Sequence, residues 1–109
     1  MSELAIEALD PRSFADYIAT EAMPVVVDFW APWCGPCRAL APHLDQLVKR
    51  FDGQLQVRKL NIDEDHDLAA SLGVRGVPTL ILFKDGQPHS RLVGLHDEKQ
   101  LSAWVRSAL

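Results

Sequence analysis

Residues 29–38 read Phe29-Trp30-Ala31-Pro32-Trp33-Cys34-Gly35-Pro36-Cys37-Arg38, and they join two unlike stretches of chain. Upstream, Pro24 to Trp30 (PVVVDFW) is apolar and β-branched. That is the pattern of a strand covered on both faces, as in α/β sheets. Downstream, from about Cys34 to Phe51, the apolar period becomes helical, with Leu40, Leu44, Leu47, Val48 and Phe51 on one stripe. Pro42 falls inside this helix, where it cannot donate a backbone hydrogen bond and is expected to kink it. Asp52-Gly53 ends it. The two cysteines therefore stand at a strand-to-helix junction.

That position carries chemistry. Cys34 opens the helix, where unpaired N–H groups and the positive end of the helix dipole favour an anion. The thiolate, not the thiol, attacks disulfides. Cys37 lies one turn further on. Residues three apart on a regular helix keep their β-carbons roughly 5–6 Å apart, whereas a relaxed disulfide prefers about 3.8 Å. The first turn must therefore adapt, and Gly35 and Pro36 are the residues that let it. Zinc would need two more ligands, and His43, His66, His89 and His96 do not pair at a spacing of three to five residues. A static disulfide over so short a loop stabilises little. After a strand in a βαβ setting, Cys-x-x-Cys reads as redox.

Working outward, Leu4 to Leu9 alternates as a first strand. Asp10-Pro11 is an N-cap with proline at the first helical position, followed by Phe14, Tyr17 and Ile18 on the buried side. Leu55 to Ile62 is another strand, and Asp67 to Leu72 a short helix closed by Gly73. Thr79 to Phe83 is a strand, Asp85-Gly86 a two-residue hairpin, and Ser90 to Val93 the returning strand. Pro88 suits an edge position. Asp97 and Gln100 form a capping box before a helix with Leu101, Trp104, Val105 and Ala108 on its apolar stripe. Nine elements in this order demand parallel crossovers first and allow a hairpin at the end.

Composition sets the outer bounds. The chain has 109 residues, 48 % hydrophobic and 24 % charged, with a formal charge of −4. Those are values of an ordinary globular domain, and the length allows one core. Mild acidity argues against a nucleic-acid binder and against a polybasic membrane-surface protein. No apolar run approaches the roughly 18 residues of a membrane helix. The acidic start Met1-Ser2-Glu3-Leu4 does not read as a signal peptide, so a cytoplasmic protein is expected. Two cysteines are too few for a disulfide-stapled secreted scaffold.

The string from Phe29 to Arg38 resembles the thioredoxin family. The likeness extends to Asp28, Pro42, Lys59-Leu60-Asn61-Ile62-Asp63, Gly76-Val77-Pro78-Thr79, Asp85-Gly86 and Gly94, and spans nearly the whole chain. It implies a single domain over residues 1–109, with a central mixed five-stranded sheet flanked by four helices. It also implies a protein-disulfide reductase, with Cys34 as nucleophile and Cys37 as resolving thiol. Asp28, which interrupts an apolar strand, would be the base for Cys37, and Lys59 its partner. The family reading makes Val77–Pro78 a cis peptide facing the disulfide, with Val93 and Gly94 bordering the same groove and Trp33 an exposed contact. Trp30 is expected to pack beneath the site. Thioredoxin reductase, drawing on NADPH, would restore the dithiol. No nucleotide fingerprint occurs, so no bound cofactor, metal or nucleotide is expected, and a monomer is the plain expectation. Arg38 stands where the family often has Lys, and His43 where an apolar residue is common. Gly35-Pro36 separates the chain from isomerases, typically Gly-His, and from periplasmic oxidases, typically Pro-His.

Overall fold

The computed structural model describes residues 6–109. In chain order the elements are β1 (Glu7–Ala8), α1 (Phe14–Thr20), β2 (Val25–Trp30), α2 (Gly35–Arg50), β3 (Gln56–Asn61), α3 (His66–Ser71), β4 (Thr79–Lys84), β5 (Gln87–Val93) and α4 (Glu98–Ala108). The strands form one sheet in the order β1-β3-β2-β4-β5. β1, β3 and β2 are parallel, and β4 and β5 run antiparallel. This is the mixed five-stranded sheet with four helices that the sequence implies.

The boundaries differ in instructive ways. The first strand is shorter than its alternation suggests, and Leu4 and Ala5 lie outside the described residues. Asp10 does cap, but its side chain accepts from the N–H of Arg12 to start a 3-10 turn (Pro11–Ser13), and the α-helix begins only at Phe14. β3 stops at Asn61, because that side chain accepts the N–H of Asp63 and bends the chain into a second 3-10 turn (Ile62–Glu64). α3 begins one residue early, capped by Asp65 through the N–H of Leu68. β5 is longer than its apolar part and contains Pro88 on the sheet edge, next to a register shift between Leu82 and Phe83.

Alternation along the strands splits the core in two. Val26, Val57, Leu80 and Leu82 face Leu40, Leu44 and Leu47 of α2 and Leu101 and Val105 of α4. Val25, Val27, Phe29, Leu60, Ile81 and Phe83 face Phe14 and Ile18 of α1 and Ala69 of α3. β2 is buried on both sides, as its apolar run requires. α2 continues through Pro42 to Arg50. Among the described residues, no helix is long and apolar enough to cross a membrane.

Candidate active site

The site forms where β2 ends and α2 begins. Cys34 is not on the helix. It is the N-cap residue in extended backbone, φ −96° and ψ 108°, with Gly35 and Pro36 filling the first helical positions. Proline fits there because those N–H groups lack intrahelical partners anyway. The spacing problem of a regular helix is thereby removed. Cys34 and Cys37 form a disulfide with Cα atoms 5.3 Å apart, within the ordinary range for such a bond. The Sγ of Cys34 accepts the N–H of Cys37 at 3.1 Å. A backbone donor and the helix dipole thus both point at this sulfur, which favours its thiolate once the bond is reduced.

Both cysteines are only 5 % exposed and pack with Ala31, with Trp30, Ile62 and Val77 around them. Trp33 is the opposite, 67 % exposed beside Cys34. Its Nε1 donates to Asp63, 3.2 Å from Oδ2 and 3.4 Å from Oδ1, and His66 Nε2 lies 3.4 Å from the same Oδ1. The sequence reading gave Asp63 no role. The pair is thirty residues apart, and no local pattern signals it. Arg38 holds the same loop from the other side, donating to the Pro32 carbonyl at 2.9 Å. His43 is half-buried on α2.

Beneath the disulfide lies Asp28, 6 % exposed. In the sheet it sits beside Lys59 of β3 and Leu80 of β4. Its Oδ1 is buried without a hydrogen-bond partner. Burial pushes its carboxyl up to about 7, and the charge of Lys59 offsets only part of that rise. Lys59 forms no ion pair with it among the described residues. Its ammonium lies instead 5.3 Å from the centroid of the Trp30 ring. Asp28, Trp30, Cys37, Arg38, Ala41 and Lys59 line one cavity of about 180 Å³. Expectation and structure agree on the neighbours, but Lys59 is a through-space charge rather than a bonded partner.

The Val77–Pro78 peptide is cis. Val77 packs against the cysteine cluster. Gly94, at φ 92°, donates its N–H to the Pro78 carbonyl at 2.8 Å, and Val93 pairs with Thr79. Val93 (63 % exposed) and Leu95 (50 %) present apolar surface on this side. Leu95 was not singled out in the sequence, where it looks like any loop leucine.

A sequence profile of the Thioredoxin family matches residues 5–107. A thioredoxin of Pseudomonas aeruginosa is 45 % identical over 105 residues, 96 % of either chain. One from Synechocystis is 41 % identical over 96 % of this chain and 98 % of its own, and one from Rickettsia bellii 38 % over 88 % and 91 %. With matches of this extent on a mixed sheet whose first long helix begins at a Cys-Gly-Pro-Cys disulfide, the chain belongs to the thioredoxin family, and Cys34–Cys37 is its redox-active bond.

Proposed function

We propose that this thiol-disulfide oxidoreductase works as a cytoplasmic monomer, a single domain over residues 1–109 that reduces disulfides of other proteins and is recycled by thioredoxin reductase at the expense of NADPH. The observation that carries the order of attack, Cys34 first and Cys37 second, is the placement of the two sulfurs. Cys34 is the helix-capping sulfur with a backbone donor on it. Cys37 lies behind it and shares a cavity with a carboxyl of raised pKa.

In this mechanism the Cys34 thiolate attacks one sulfur of the target disulfide. A mixed disulfide forms and the other target sulfur leaves as thiolate. Cys37 then loses its proton to the Asp28 carboxylate through water in the cavity, which at about 180 Å³ exceeds the roughly 15 Å³ that one water needs. The Cys37 thiolate attacks Cys34, the mixed bond breaks, and the target departs as a dithiol. Two electrons have passed to the target, and Cys34–Cys37 is oxidised. A base with a pKa near 7 is ionised often enough to accept a proton and basic enough to hold it. Lys59 tunes that base by its charge. Gly35 and Pro36 shape the turn that keeps the sulfurs together. Trp33, Val77, Pro78, Val93 and Gly94 form the substrate groove, where an extended target segment pairs with the backbone beside Pro78.

The test is the reduction potential of Cys34–Cys37, measured by equilibration against a defined thiol–disulfide buffer. A value more reducing than the cytosolic glutathione poise is expected. A value near that of disulfide-forming oxidases overturns the direction proposed. For the base, rapid mixing of the Asp28→Asn variant is expected to slow release of the mixed disulfide more than its formation. Equal slowing of both steps removes Asp28 from the proton path.

A further inference from the structure

Arg91 lies in the middle of edge strand β5, away from the disulfide. It pairs in register with Ile81, so it stands on the α1/α3 face of the sheet. Its guanidinium reaches the end of α3, where Nη2 donates to the Leu72 carbonyl at 2.7 Å and Nη1 to the Gly73 carbonyl at 3.3 Å. The helix closes there with Gly73 at φ 75°. Gly73 N–H donates to the Ala70 carbonyl at 3.0 Å and Val74 N–H to that of Ala69 at 2.9 Å. This double bond pattern with a left-handed glycine satisfies two of the last carbonyls and leaves later ones to an outside donor. Arg91 is that donor, and its cation faces the negative end of the helix. Glycine is required at position 73 by that left-handed φ, since a Cβ there would only touch Nη1 at an ordinary 3.6 Å.

The segment that follows leads straight to the groove. Val74 is buried in the α1/α3 core. Thr79 Oγ1 donates to the Gly76 carbonyl at 2.6 Å, and Gly94 N–H to that of Pro78 at 2.8 Å. Residues 73–78 are thus fastened at both ends, by Arg91 where they leave α3 and by Thr79 and Gly94 where they enter β4.

We propose that Arg91 is a positioning residue for protein substrates. By clamping the end of α3 to the edge strand it fixes the course of residues 73–78, and so the Val77–Pro78 edge against which a target segment lies; this role rests on the groove reading given above. It takes no part in the exchange of sulfurs, so a disulfide too small to span the groove should not sense it. Two carbonyls on neighbouring residues suit a planar two-pronged donor, and a lysine ammonium, a point charge on a flexible stem, lacks that fixed fork.

The test compares pre-reduced wild-type protein with Arg91→Ala and Arg91→Lys by stopped flow, using insulin as protein disulfide and DTNB as small disulfide. For Arg91→Ala the second-order rate with insulin is expected to fall about three- to tenfold, because the lost bonds loosen the groove edge and remove no contact with the substrate. The DTNB rate and the Cys34–Cys37 reduction potential are expected to stay at the wild-type values, and Arg91→Lys to recover part of the insulin rate. An unchanged insulin rate, an equal loss with both disulfides, or a shifted potential each overturns the proposal. Val93→Glu, at an exposed groove position, separates the two readings. If it leaves insulin reduction unchanged, the groove reading falls and the Arg91 role with it. If it slows insulin while Arg91→Ala does not, the groove stands and Arg91 is not its support.

Discussion

Asp28 sets burial against charge pairing, and burial wins. The carboxyl is only 6 % exposed, its Oδ1 has no protein donor, and the Lys59 cation is not bonded to it. The result is a folded-state pKa of about 7 against 3.8 for the free group. The folded protein therefore binds the Asp28 proton more tightly than the unfolded chain between those values. Stability from this group is complete below the unfolded pKa and falls as pH rises toward 7. A shift of this size corresponds to a few kcal/mol at most, about 2–4 kcal/mol at pH 8. The Asp28→Asn variant is expected to gain about that much over wild type in urea unfolding of the oxidised form at pH 8, and little below pH 4. Equal stability of the two proteins across this range would mean that the carboxylate finds partners in solution. A cost of this kind, retained at the sulfur-bearing end of the sheet, is expected of a group kept for proton transfer rather than for stability.

At the scale of elements, legibility followed how local the cause was. The Asp85-Gly86 hairpin was plain in the sequence, and both residues have positive φ, 53° and 79°. An added Cβ at Gly86 would also meet the Ala19 Cα at 3.7 Å, so the turn is both left-handed and covered by α1. Gly86→Ala is expected to lower unfolding free energy by about 1–2 kcal/mol, since alanine resists that φ; an unchanged denaturation midpoint would refute it. The capping box at Asp97 and Gln100 was equally legible, because both halves lie within one turn and both bonds form. What escaped the sequence depended on distant partners or on competing side-chain bonds. Ile62 looked like the end of a strand, but the Asn61 amide oxygen accepts the N–H of Asp63 and turns the chain there. Cys34 and Cys37 were recognisable as a redox pair, but not the extended backbone of Cys34 that makes their bond possible. Asp28 stood out as a charge in an apolar run, whereas Asp63 and Arg91 lay in polar surroundings with nothing to mark their targets, Trp33 and the end of α3.

For the whole molecule, a redox protein must keep its fold in both states of its disulfide. The arrangement of the core provides for this. The two large apolar clusters, one on each face of the sheet, contain neither cysteine. Cys34 and Cys37 belong to a third, small cluster with Ala31 at the end of β2. Closing a loop between residues three apart in sequence constrains the unfolded chain little, about 2 kcal/mol by loop entropy. Opening the bond should therefore remove only a fraction of the roughly 5–15 kcal/mol of a typical domain. The double variant Cys34→Ser, Cys37→Ser is expected to keep the circular dichroism of the wild type and to unfold cooperatively, about 2 kcal/mol less stable than the oxidised protein. It should still bind target proteins through the Trp33 and Pro78 surface while reducing none of them. Retained binding without turnover would separate the groove, which recognises, from the sulfurs, which react. Loss of binding together with turnover, in a variant that still folds, would instead make the sulfurs themselves the recognition element.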